Sequence, residues 1–157
     1  MSTHTARLVW NRTTETMDPK TYARDHQWRF DSGVTVAASA AAGPAIPPGT
    51  VGADTVDPEE AVVAALAGCH MLFFLALAAK KGLTIDRYED APHGVLESKD
   101  GATWLTTITL APQITWGGAA PDADTVATLH REAHKRCYIA NSLKSHVVIE
   151  GVALHRA

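Results

Sequence analysis

Along most of the chain apolar and polar residues alternate over short distances, but one stretch breaks that rhythm. Residues 61–79 are apolar at almost every position, interrupted by Gly68, Cys69 and His70. Asp57-Pro58-Glu59-Glu60 precedes it and Lys80-Lys81-Gly82 follows. Asp at the N-cap, Pro at the first helical position and acids in the first turn start a helix, and the lysines suit its negative end. The pattern predicts one long helix, apolar on every side. Such a helix is either a membrane span or is buried all round. The strand patterns around it, and Gly, Cys and His at its middle, argue for burial. A chain of 157 residues cannot easily surround so long a helix alone, so a second subunit is expected.

Shorter patterns fill the rest. Residues 6–12 read as a strand and residues 27–39 as a hairpin around Phe30-Asp31-Ser32-Gly33. Residues 83–97 and 103–116 read as two strands about Lys99-Asp100-Gly101, and Thr106 to Leu110 carries a period of two. Residues 121–125 open a second helix, with Val126, Leu129, Ala133 and Cys137 along one face. A last strand is expected over 145–154. The order gives an α+β fold with mostly antiparallel sheets, as one domain over residues 1–157.

Composition narrows the function. The formal charge is −3 with the basic residues scattered, which leaves no footprint for nucleic acid or an anionic membrane. The first twelve residues are polar, without the apolar core of a secretory signal. The expected location is therefore cytoplasmic, where two cysteines are kept reduced and serve redox or metal chemistry more readily than a structural disulfide.

Cys69 in mid-helix reads, by itself, as a small buried hydrophobe. Two features point further. Gly68 costs about 1 kcal/mol in a helix interior relative to Ala, so close packing beside the sulfur is expected. Cys137 stands at a helix end among polar residues, where a thiol is reachable. Peroxide reduction needs a thiolate, a cation to stabilise it, and a second cysteine to trap the sulfenic acid as a disulfide. Arg29, on Trp28-Arg29-Phe30, is the leading cation and Arg24 its rival; each reads equally as a surface residue. Glu59 or Glu60 could orient the arginine, although first-turn acids also serve the helix dipole. A competing reading is zinc. His130, His134 and Cys137 fall on one helix face, and Cys69 with His70 could complete four ligands, a spacing that eight histidines also produce by chance. No phosphate loop, G-x-S-x-G or C-x-x-C is present, and no cofactor is expected.

Two motifs, Asp57-Pro58-Glu59-Glu60-Ala-Val-Val-Ala-Ala-Leu-Ala-Gly68-Cys69-His70 and Cys137-x3-Asn141-Ser142, resemble those of the OsmC/Ohr family, the osmotically inducible and organic-hydroperoxide-resistance proteins. The resemblance covers about residues 20–150 and is nearest to an OsmC-like branch, with Trp28-Arg29-Phe30-Asp31-x-Gly33 before the helix. It implies an intertwined homodimer with sheets wrapped around long central helices. It also implies a peroxidase in which Cys69 is peroxidatic, Cys137 resolving and Glu59 paired to an arginine, here Arg29 by its hairpin position. The substrate would be an organic hydroperoxide, reduced in preference to hydrogen peroxide at a site walled by Leu72, Phe73 and Phe74. The reductant would be a dithiol or a thioredoxin-like protein. Ten helical residues span about 15 Å, so Glu59 is expected to act on Cys69 through arginine or from the other subunit. The chain departs from the family with Tyr138 where Pro usually follows the second cysteine. His70 also stands where an apolar or aromatic residue is common, either lowering the thiol pKa or packing. The alternative on the same fold is a non-enzymatic dimer that binds a small molecule or zinc.

Overall fold

The computed structural model describes residues 1–154, in two compact units, the first Met1–Ala61 and the second from Val62 onward. In the first unit β1 (Ala6–Val9), β2 (His26–Phe30) and β3 (Thr35–Ala38) form an antiparallel sheet in that order. Leu8 lies opposite Trp28, and Trp28 opposite Val36. The expected hairpin turns through Asp31, Ser32 and Gly33. Gly33 takes a φ of 87°, the left-handed residue that a three-residue hairpin loop requires. Farther on, the Asp25 carboxylate accepts bonds from the Ser39 hydroxyl (2.8 Å) and the Gly52 N–H (2.7 Å). A Cβ on Gly52 would stand 2.8 Å from that carboxylate, so glycine is required there.

The long helix α1 runs over Pro58–Lys80, and its ends are set by local chemistry. The Glu60 N–H donates to the Asp57 carboxylate (2.8 Å), and the Asp57 N–H donates to the Glu60 carboxylate (3.2 Å), a reciprocal capping box. At the far end Gly82 is left-handed, Leu83 N–H bonds Ala78 O and Gly82 N–H bonds Ala79 O, the glycine-terminated closure of a Schellman motif. Val63, Leu66, Ala67, His70, Phe74 and Ala78 are buried. The opposite face, with Ala64, Ala65, Leu72, Ala76 and Ala79, is exposed. The helix is long and apolar enough to cross a membrane, but its covered face is core. Its own chain does not bury it on every side.

In the second unit the two long strands expected from the sequence are four: β4 (Ile85–Glu89), β5 (His93–Lys99), β6 (Ala102–Leu110) and β7 (Gln113–Trp116). The breaks fall at Pro92 and Pro112, which have no N–H for a ladder. The Asp90 carboxylate joins the two breaks by accepting the Ala111 N–H at 2.7 Å. β4 pairs with β7, and β5 with β6, antiparallel. Asp100 and Gly101, both at positive φ, make the two-residue turn between β5 and β6. Helix α2 spans Ala123–Arg136, its N-cap Asp122 accepting from the Thr125 N–H. The last strand is shorter than expected: β8 is His146–Ile149, and it lies parallel to β6. A parallel neighbour needs a crossover, which the connection through α2 provides. The fold is α+β and mostly antiparallel, as read from the sequence. Two apolar clusters make up the core of this unit, one around Leu66, Ile108, Leu110 and Cys137, the other around Phe74, Ala78, Leu129 and Ala133.

Candidate functional site

The two cysteines come together. Cys69 is half-buried on α1 and packs against the cluster that holds Cys137, which is fully buried. Both thiols are free. Burial pushes the Cys137 thiol up to about 11, and the neighbouring Cys69 thiol adds to the rise. The Ala140 N–H, which donates to Cys137 Sγ at 3.4 Å, works against it. Cys137 therefore stays protonated at neutral pH, and the more accessible sulfur is Cys69.

The residues after Cys137 explain its motif. Cys137 caps the C-terminus of α2 by donating its N–H to His134 O (3.2 Å). Asn141 turns back, its side-chain amide donating to Lys135 O (3.1 Å) and its N–H to Cys137 O (3.0 Å). Ser142 Oγ donates to Tyr138 O (2.8 Å). The Asn and Ser thus satisfy carbonyls that the helix end leaves open, and the turn around the sulfur forms with Tyr138 in place of proline. Tyr138 is exposed and meets Phe73 edge-on, ring centroids 5.2 Å apart. Phe73 packs against the cluster that holds Cys137, whereas Leu72 lies on the exposed face of α1. Phe74 does not join that cluster, because it is buried in the second one against His130. Gly68 differs too: a Cβ added there would meet nothing within 4 Å, so this chain packs nothing against it.

Arg29 and Glu59 belong to the Met1–Ala61 unit. Arg29 is exposed on β2 and donates to Gln27 Oε1 at 2.9 Å. Arg24 is more firmly held. It is half-buried, donates to the carbonyls of Tyr22 (3.2 Å) and Pro19 (3.1 Å), and lies 4.3 Å above the Tyr22 ring. Glu59 is half-buried in the first turn of α1. Because Glu60 closes the capping box, Glu59 stands outside it.

The zinc set is not assembled. Among the described residues no three His, Cys, Asp or Glu side chains come together to hold a metal. Instead His130 turns toward His70, and Cys137 toward Cys69. The imidazoles of His70 and His130 lie nearly coplanar, 5° apart and edge to edge, with His70 Nε2 3.0 Å from His130 Nδ1. Both are buried. Burial holds His70 down to about 3, with His130 and His134 adding to the effect, and holds His130 down to about 4. Sequence reasoning missed this pair, although a signal was present. A histidine inside an apolar helix needs a polar partner when buried, and His130 shares a face with Leu129 and Ala133.

Comparison with known proteins follows the same lines. Residues 51–151 match the family described as OsmC-like protein. An OsmC-like protein of unknown function from Vibrio cholerae is 39% identical, with 96% of this chain and 99% of that one covered and a TM-score of 0.89. The fold is shared with an organic hydroperoxide resistance protein OsmC of Legionella pneumophila (16% identity, 95% and 94% covered, TM-score 0.66). It is shared also with the organic hydroperoxide resistance protein OhrB of Bacillus subtilis (18% identity, 98% and 98% covered, TM-score 0.65). No curated protein matches the chain. A matched segment that holds the acid-Pro-Glu helix and both cysteines, together with a full-length relative, settles the kinship: the chain belongs to the OsmC-like family.

Proposed function

We propose that the protein is a cytoplasmic, thiol-dependent peroxidase that reduces organic hydroperoxides, with residues 1–157 acting as one domain. The observation that carries this reading is the packing of a half-buried Cys69 against the cluster that holds a fully buried, protonated Cys137. Cys69, as thiolate, attacks the outer oxygen of ROOH. The O–O bond breaks, the alcohol leaves with a proton, and Cys69 becomes a sulfenic acid. The Cys137 sulfur then attacks Cys69, giving up its proton as water departs, and a disulfide forms. An external dithiol or a thioredoxin-like protein returns both sulfurs to thiols. Having Cys137 close by shortens the search that would leave the sulfenic acid open to further oxidation.

The thiolate needs a cation. Arg24 or Arg29 supplies it, oriented by Glu59, and the firmer hold on Arg24 favours it over Arg29. The exposed apolar face of α1 supports a homodimer, with Ala64, Leu72 and Ala76 covered by a second copy. Leu72, Phe73 and Tyr138 would give the alkyl group of the peroxide an apolar wall, favouring organic substrates over hydrogen peroxide.

The test is a titration of free thiols with cumene hydroperoxide and, separately, with hydrogen peroxide. One equivalent of peroxide is expected to remove both thiols. Cys69→Ser should abolish turnover, whereas Cys137→Ser should consume one equivalent and stop. Full activity in Cys69→Ser would overturn the reading. Arg24→Met and Arg29→Met are compared in the same assay, the larger loss identifying the cation.

A further inference from the structure

The mechanism above makes no use of the buried imidazole pair, yet the pair sits between the elements that carry the two sulfurs. His70 directly follows Cys69 on α1. His130 lies two turns before Cys137 on α2. We propose that His70 and His130 are positioning residues, a clamp that holds α1 to α2 so that the two sulfurs stay in reach, and that opens when the pair takes up protons. The peroxidase reading bears on what the dithiol is for, but not on whether the clamp exists.

The clamp is a single N–H···N bond between two nearly coplanar rings set edge to edge. His70 Nδ1 is buried with no partner among the described residues. An unpaired lone pair costs less than an unpaired N–H, so His70 is assigned the tautomer with hydrogen on Nε2, donating to His130 Nδ1. A proton added to His70 would then fall on Nδ1, creating a buried cationic donor with nothing to receive it. A proton added to His130 would fall on Nδ1, setting two N–H groups against each other 3.0 Å apart. Either addition works against the bond.

The surroundings offer the cation no relief. His134 of α2 faces the pair and itself responds to His146 of β8. From the α1 side Phe74 covers His130 at 4.3 Å between ring centroids. From β4, the Tyr88 ring meets Phe74 at a tilt of 57°, with Asp90 acting on the Tyr88 hydroxyl. Among the described residues no carboxylate acts on either imidazole.

Two arms test the clamp without peroxide. In the first, the Cys69–Cys137 disulfide is equilibrated with reduced and oxidised dithiothreitol between pH 7.5 and 5, for the wild type, His130→Gln and His130→Ala. At pH 7.5 His130→Gln, which can still accept a bond from His70, should match the wild type, while His130→Ala should form the disulfide about tenfold less readily. By pH 5 the wild-type constant should fall at least tenfold further than that of His130→Ala. Parallel pH profiles for wild type and His130→Ala, or equal constants at pH 7.5, would overturn the proposal. The second arm covers the chance that the variants do not fold: nitrogen NMR of histidines in the wild type. Two buried rings that are neutral at pH 6.5, one bonded to the other, and that take up their protons together below it are expected; independent titration near 6.5 would overturn it. A clamp that behaves as described in a protein that consumes no peroxide would sink the peroxidase reading alone.

Discussion

Helices α1 and α2 each carry one cysteine, and the two meet their surroundings differently. α2 is amphipathic. Leu129, His130 and Ala133 face the core, while Asp124, Thr128, Lys135 and Arg136 face outward, with Glu132 bridging to Lys135 and Arg136 at 3.1 and 3.4 Å. Its outer surface is complete in water. α1 has a core face of the same kind, but its outer face is Ala64, Ala65, Leu72, Ala76 and Ala79, and Leu72 is 64% exposed. A continuous exposed apolar strip marks a surface that something covers. The cysteine on the finished helix is sealed, and the cysteine on the unfinished one is reachable. Accessibility of the sulfur follows the helix that the chain leaves open.

The largest expected effect is a direct attack on this contrast. Leu72→Glu places a charge on the outer face of α1, where a single chain tolerates it. If a second copy covers the face, the substitution should weaken association more than 100-fold, roughly 3 kcal/mol, as read by sedimentation equilibrium. Thr128→Ala, on the outer face of α2, should change stability by no more than about 0.5 kcal/mol. Equal and negligible effects of the two would erase the distinction between the helices.

Acid tests the opposite faces, where the helices meet. The folded values of His70 and His130, about 3 and about 4, lie below the ordinary 6.5, so the unfolded chain binds more protons. Stability from keeping these rings neutral is complete above pH 6.5 and is lost as pH falls below it. Each ring should cost about 2 kcal/mol between pH 6.5 and 5, seen as a falling urea midpoint. A double variant, His70→Phe with His130→Phe, should lose that acid sensitivity even if it is less stable at pH 7.5.

The contrast also explains what the sequence disclosed. Both helices could be placed closely because their ends are local. The Asp57–Glu60 box, Asp122 and Gly82 act within a few residues, and α2 has a readable face. The α+β class followed from the order of elements. Strand detail was less legible. Pro92 and Pro112 each cut one expected strand into two, and those prolines were visible beforehand. The parallel pairing of β8 with β6 was not, because it depends on how a distant connection closes. At the site the two cysteines could be picked out from their motifs, but their proximity could not. The expectation of Phe74 beside the sulfur failed because one residue of helix is about 100° of rotation, enough to move a ring from one cluster to the other. The histidine clamp was hidden for the same reason as the nearness of the sulfurs: it joins residues far apart in the chain, and only the packing of α1 on α2 brings them together.

Gly68 gives the smallest effect and the clearest sign. It lies on α1 one residue before Cys69, and within one chain an added methyl meets nothing within 4 Å. An isolated chain should therefore gain from Gly68→Ala, by about 1 kcal/mol, because alanine loses less freedom than glycine on entering a helix. A second helix packed against α1 reverses this, since the methyl would then push apart two backbones that glycine lets approach. Measured by urea unfolding at two protein concentrations, the variant should be stabilised at the lower one, where monomers prevail. At the higher concentration it should be neutral or destabilised. Stabilisation at both would mean that no helix lies against Gly68, and the cover over α1 would then have to leave this turn open, directly beside Cys69.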